Sequence, residues 1–207
     1  MIHQTVDYLN GLLKAVGVTN NYYGVAELEV VEDRSGNERE VPLVYTSRGN
    51  YNEVDFESKS LYHRVTGDVS RDTDDDILTT GCGLGIVEVA PMRLVCFFDR
   101  DLYKTDDANI VHKVGMNIAN TISSSNIKSL ATALQVDYVE VVVTGININK
   151  KSIFDEEFIG VEYNLPSDLG LVAVDYEIRV AGDESCFVSY GCNDTPLNIT
   201  ALIVEEY

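Results

Sequence analysis

Acidic residues crowd one short stretch of this 207-residue chain: Asp68, Asp72, Asp74, Asp75 and Asp76. Carboxylates at alternate positions are how calcium loops begin, and Asp72-Thr-Asp74-Asp-Asp76 starts in that register. Ile77 then stands where the sharp turn requires Gly, and Gly83 where a bidentate Glu belongs, so an EF-hand is excluded. A weaker Ca²⁺ or Mg²⁺ site is one reading; a solvated, mobile acidic loop is the default.

Other constellations are thinner. Gly81-Cys-Gly-Leu-Gly85 has the look of a phosphate loop, but it precedes a strand instead of following one, and no Lys-Ser or Lys-Thr pair accompanies it. Cys82 or Cys96 as a nucleophile needs a histidine partner, and sequence cannot bring His63 or His112 to either; burial inside an apolar strand makes Cys96 an inert thiol. The carboxylate pairs Glu156/Glu157 and Asp175/Glu177 are of the type used for acid and base work, yet thirty-four acids generate such pairs by chance. Four cysteines without a CxxC spacing and three histidines disfavour zinc; Cys186 and Cys192 could bridge only in an oxidising setting. No catalytic, cofactor or metal residue is assigned.

The elements that would position any site follow from periodicity. Val6, Leu9, Leu12, Leu13 and Val16 recur at helical spacing between Gln4 and Val16, with Thr5 as N-cap and Gly17 as stop. Tyr22 to Glu32 and Val41 to Thr46 flank Asp33-Arg34-Ser35-Gly36-Asn37 and predict a β-hairpin, Pro42 giving its second arm either an edge position or a late entry into the ladder. From 47 to 85 the pattern dissolves into an irregular excursion. Ile86 to Phe98 reads as a buried strand broken near Pro91. Asp106 and Asp107 open a helix with Ile110, Val111, Val114, Ile118 and Ile122 on one stripe, where Gly115 and Ala119 permit close approach. A shorter helix carries Ile127, Leu130, Ala131 and Leu134.

Tyr138 to Asn149 is then a strand, Asn149 to Ser152 its turn, and Phe158 to Tyr163 and Leu171 to Val180 two more strands. In the last of these Val172, Val174, Tyr176, Ile178 and Val180 point to one side, expected to meet the helix stripe. Asp175, Glu177 and Arg179 point to the other, expected to be free for a neighbouring subunit or a channel. A weaker strand is read at Leu197 to Val204. The expected fold class is α+β: an antiparallel meander on two or three helices, one domain over 1–207, with the excursion at 47–85 and a C-terminal extension at 183–207.

Fifteen Lys and Arg against thirty-four Asp and Glu leave a formal net charge of −19. Such a surface repels phosphate backbones and anionic lipid, which argues against groove-type nucleic-acid binding and a polybasic anchor. The N-terminal stretch has no basic segment followed by an apolar one, so no signal peptide is expected and the protein is expected to stay in a cytoplasm.

The runs VPLVYTSRGNYNEV (Val41 to Val54) and SLYHRVTGDV (Ser60 to Val69) resemble structural proteins of tailed bacteriophages. VEVAPMRLVCFFDRD, its following helix and FIGVEYNLPSDLGLVAVDYEIRV are similar to tail-terminator and neck-ring proteins. That resemblance implies a non-enzymatic virion subunit forming a homo-oligomeric ring at the head–tail junction. Its partners would be other neck and tail proteins and DNA that passes without specific binding, with no membrane. Head completion, capsid decoration or tail tube are alternative structural roles, and a metal-dependent hydrolase using Asp68 to Asp76 is the enzymatic one.

Overall fold

The computed structural model describes residues 1–32, 35–45, 51–54, 59–73, 85–103, 109–124, 127–136 and 138–183. The α+β expectation holds. The elements are α1 (Ile2–Val16), β1 (Asn21–Glu32), β2 (Glu38–Tyr45), β3 (Tyr51–Glu53), β4 (Ser60–Val65), β5 (Ser70–Thr73) and β6 (Gly85–Asp99), followed by a 3-10 turn at Arg100–Tyr103. After these come α2 (Ile110–Ser123), α3 (Ile127–Leu134), β7 (Tyr138–Asn147), α4 (Lys150–Glu157) and β8 (Leu169–Asp183).

One eight-stranded sheet runs β3-β2-β1-β4-β6-β8-β7, with β5 also on β6. Among the described strands only the β1–β4 pair is parallel. Its spine is the antiparallel β6–β8 ladder, in register without interruption from Gly85↔Asp183 to Asp99↔Leu169. Pro91 therefore breaks nothing on the β8 side. Its carbonyl accepts from the Thr66 amide on the opposite side, where β4 leaves β6 and β5 has yet to join, so the missing proline N–H falls in that gap. Pro42 is accommodated in the same way. Glu40, two residues before it, donates to the Ile159 carbonyl on the outer side of β2, so the proline ring faces that side and leaves the β1 ladder intact.

Side chains alternate between two cores. Toward α1, α2 and α3 point Leu61, Leu94, Cys96, Phe98, Val172, Val174, Tyr176 and Ile178, which meet Leu9, Leu13, Val114, Ile118 and Ile122. The expected contact between the β8 apolar face and the α2 stripe is there. Gly115 is what lets α2 sit so low: a Cβ on it would come within 2.9 Å of methyls of both Ile146 and Val172. Toward α4 point Tyr62, Val95, Phe97, Leu171 and Ala173, against Ile153, Phe154 and Phe158. Phe154 and Phe158 stack at 4.9 Å, and Phe97 meets Phe158 edge-on.

Several expectations need correction. The excursion at 47–85 contains β3, β4 and β5, and β4 is central to the sheet. Its Ser60, Leu61, Tyr62 and His63 are all buried, so no polar-apolar alternation marks it as a strand. Asn149 to Ser152 is no hairpin turn. Asn149 caps α4 through its side-chain oxygen, which accepts from the Ser152 amide at 3.1 Å, and Phe158 to Tyr163 leaves that helix as irregular chain with a single bridge at Ile159. Thr5 is not an N-cap: α1 starts at Ile2, and the Thr5 hydroxyl donates to the Met1 carbonyl. Gly17 does end α1, in the left-handed region at φ 69°. Asp106, Asp107 and the run Leu197 to Val204 lie outside the described residues.

Among the described residues no helix is long and apolar enough to cross a membrane. Replacing Gly115 by Val is expected to lower the unfolding free energy by about 1–3 kcal/mol through overpacking. Urea denaturation checks this, and an unchanged midpoint would show that α2 does not approach β7 and β8 so closely.

Candidate functional site

The densest group of ionisable side chains lies on the α4 side of the sheet. Register puts Arg64 of β4 beside Arg93 of β6, and Arg93 beside Asp175 of β8. Two guanidiniums side by side repel each other, so the row requires anions from outside the sheet. α4 supplies them. Glu157 has no exposed surface; it accepts from Arg64 Nε–H at 3.0 Å and Nη2–H at 2.8 Å, and from the Tyr62 hydroxyl at 3.0 Å. Arg93 donates through Nε to Asp175 at 2.6 Å and through Nη1 to Glu156.

The electrostatics follow from these contacts. Burial alone would lower the Arg93 pKa, but its bonds to Asp175 and Glu156 more than reverse that and hold it above the usual guanidinium range. Arg93 in turn holds the Glu156 carboxyl below the usual carboxylate range. A general acid needs the opposite shift. Tyr62 is pushed up by burial and by Glu157, so it stays a donor. The cluster is a clamp that fastens α4 to three strands.

A second buried polar group sits on the other side. His63 is wholly buried, with Nδ1 2.7 Å from the Tyr176 hydroxyl and Nε2 3.1 Å from Asn10 Oδ1. Asn10 donates its amide to the Tyr23 carbonyl at 2.8 Å, leaving Oδ1 as acceptor. Nε2 therefore carries the hydrogen, and Nδ1 accepts from Tyr176. This satisfies a neutral imidazole, and burial, which penalises the charged ring, lowers the pKa to about 3. The group ties α1 to β1, β4 and β8.

The sequence-designated residues are distributed as follows. Asp68 is exposed, Asp72 falls in β5, and Asp74, Asp75 and Asp76 lie outside the described residues, as do Cys82, Cys186 and Cys192. Cys96 is buried and burial raises its thiol pKa, in line with an inert role. His112 is exposed on α2. Asp175, Glu177 and Arg179 do share the face opposite the α2 contact, but each has a partner within the chain. Asp175 is held by Arg93, while Arg179 bonds Glu177 at 2.7 Å and approaches Glu140 at 3.5 Å. The expectation that they are free is corrected to that extent.

Other groupings were not visible in the sequence. Carboxylate oxygens of Asp99, Asp101 and Asp168 lie within 4.8 Å of one another, as divalent-cation ligands do. Lys59 already bonds Asp99 and lowers its pKa, and the Asp101 amide donates to the same carboxylate. An open cavity of about 460 Å³ lies between the start of α1 and the diverging strands β1 and β4, with Ile2, Val25, Leu28, Arg64 and Glu88 in its wall. Arg64 and Glu88 in its wall are already paired, with Glu157 and Arg71.

Arg64, Arg93 and His63 were missed because partners 93, 82 and 113 residues away decide their roles. One local signal existed for α4. Ile153, Phe154, Glu157 and Phe158 fall on one helical face, and a Glu inside an apolar stripe announces a buried counter-charge. No protein-family model matches the chain, and no curated protein sequence matches it significantly.

Two predictions follow from the buried groups. Glu157→Gln leaves the half-buried Arg64 without its fully buried anion and is expected to cost about 3 kcal/mol. Lys151→Ala, removing an exposed pair with Asp155, is expected to change stability by less than about 0.5 kcal/mol. Chemical denaturation of both variants checks the contrast. For His63, the folded pKa lies below the ordinary 6.5, so its stabilisation is complete above pH 6.5 and is lost as pH falls toward 3, where only the unfolded chain takes up the proton. Unfolding free energies measured between pH 4 and 7 should fall with acid less steeply in His63→Gln, by up to about 1.4 kcal/mol per pH unit.

Proposed function

We propose that this chain is a structural subunit that self-associates into a ring at the head–tail junction of a tailed-phage virion, around the path of the DNA. The observation that carries the reading is an uneven covering of the sheet. α1, α2 and α3 cover one side, whereas α4 covers only part of the other. Beyond the Arg93 clamp, Val87, Val89 and Pro91 of β6, Glu177 and Arg179 of β8, and Tyr138, Glu140 and Val142 of β7 share the remaining area, all partly or largely exposed. Aliphatic and aromatic groups around a paired charge network suit a contact between protein surfaces.

Further support comes from the opposite end of the sheet. Tyr45 and Tyr51, more than half exposed, meet edge-on at 5.6 Å where β2 pairs with β3. Tyrosine brings a large contact area at low entropic cost, and it is enriched in interfaces. Two separate adhesive patches on one subunit make head-to-tail contacts, which close into rings when the rotation per subunit allows. The charge of −19 suits a channel wall that DNA slides past without attractive wells.

Light scattering on the purified full chain is expected to give a multimer, and negative-stain electron microscopy a ring with a central opening. DNA should not be retained even at about 50 mM salt, where phosphate contacts are strongest. A monomer at high concentration, absent from purified particles, would sink the proposal. Particles following capsid symmetry or growing into tubes would point to decoration or tail-tube roles.

A further inference from the structure

β7 closes the sheet at one end, and among the described residues no strand pairs with its outer edge. It is ten residues long, and its first six, Tyr138 to Val143, pair with β8 in regular register before the irregularity at Thr144. Exposed strand edges of this length are usually blunted by Lys, Pro or an inward charge. β7 has none of these. It carries six β-branched residues (Val139, Val141, Val142, Val143, Thr144 and Ile146), and its single charge, Glu140, is turned toward Arg179 of the neighbouring strand. Such an edge is built to receive a strand.

The chain contains a segment that fits it. Leu197 to Val204, LNITALIV, is eight residues without a charge in a protein where 24% of residues are charged, and it is rich in β-formers. Elsewhere the acidic surface would repel an approaching copy; an uncharged segment on a nearly uncharged edge avoids that repulsion. β8 delivers the chain at Asp183, beside the Tyr138 end of β7, since Ala181 pairs with Tyr138. The connector 184–196 could extend over roughly 40 Å. Reaching the outer side of β7 in the same chain needs only two strand spacings, about 10 Å. A connector far longer than that suits a segment that reaches a neighbour.

We infer that residues 197–204 of one copy add as a strand to the outer edge of β7, at Tyr138 to Val143, of the next copy. The inference rests on the ring reading for the identity of its partner. It gives that ring a main-chain linkage, each copy donating a strand at one place and receiving one at another, beside the half-covered sheet side described above.

The test uses the full chain. Benzoylphenylalanine in place of Tyr138 is irradiated in an equal mixture of ¹⁴N- and ¹⁵N-labelled copies, and cross-linked peptides are read by mass spectrometry. Cross-links joining light and heavy chains through residues 197–204 are expected. Links confined to chains of one isotope would overturn the inference in favour of pairing within the chain, and light–heavy links between two β7 strands would overturn it in favour of direct edge pairing. A second measurement uses Leu202→Pro with Ile203→Pro, adjacent so that one proline removes a donor whichever edge the segment presents. Amide exchange across Tyr138 to Val143 should accelerate at least tenfold, and the assembly should shrink in light scattering. A ring that persists with unchanged β7 exchange overturns the strand donation and leaves the ring reading standing; a full chain that is already monomeric overturns both.

Discussion

The uninterrupted ladder between β6 and β8 is the constraint on which the other elements depend. Fifteen residues of each strand lie opposite one another, and that register fixes which side chains look toward α1, α2 and α3 and which toward α4. A slip of one residue would exchange the two sets. Met92, Leu94 and Cys96 would then leave the larger core, and Arg93 would enter it without a counter-ion. Pro91 is compatible with this ladder because it directs its missing N–H to the opposite side, where no strand bond is required.

Two buried polar groups then fasten the helices, by opposite electrostatic means. Glu157 is buried as a charge and stays so because two guanidinium N–H groups and a tyrosine hydroxyl replace its water. His63 is buried as a neutral ring, with one nitrogen donating and the other accepting, and burial disfavours a second proton. Removing one partner from either group leaves a polar atom with neither water nor a bond, which makes both strict about geometry. Together they hold α4 and α1 on opposite sides of β4.

With its polar chemistry turned inward in this way, the sheet offers apolar and main-chain contacts outward. In the proposed ring, the half-covered area around Glu177 and Arg179, the Tyr45/Tyr51 pair and the edge of β7 would be the contacts between copies. Among the described residues the acidic trio at Asp99, Asp101 and Asp168 is the nearest approach to a ligand constellation, and Lys59 already neutralises part of it. The proposed ring would use these surfaces and the acidic charge together.

Local periodicity was enough to specify α1, the β1–β2 hairpin, α2, α3, β7 and β8, and it assigned the β8 apolar face to the α2 stripe. Those features are set by side chains repeating at 3.6 or 2 residues, a property carried by neighbours in the chain. The excess of negative charge and the burial of Cys96 were also legible. β4, α4 and both polar groups were not. β4 is buried on both sides, so no alternation marks it, and Arg64, Arg93, Glu157 and His63 acquire their roles from partners dozens of residues away. Only the folded sheet brings those partners together, because burial and ion pairing are properties of position in space.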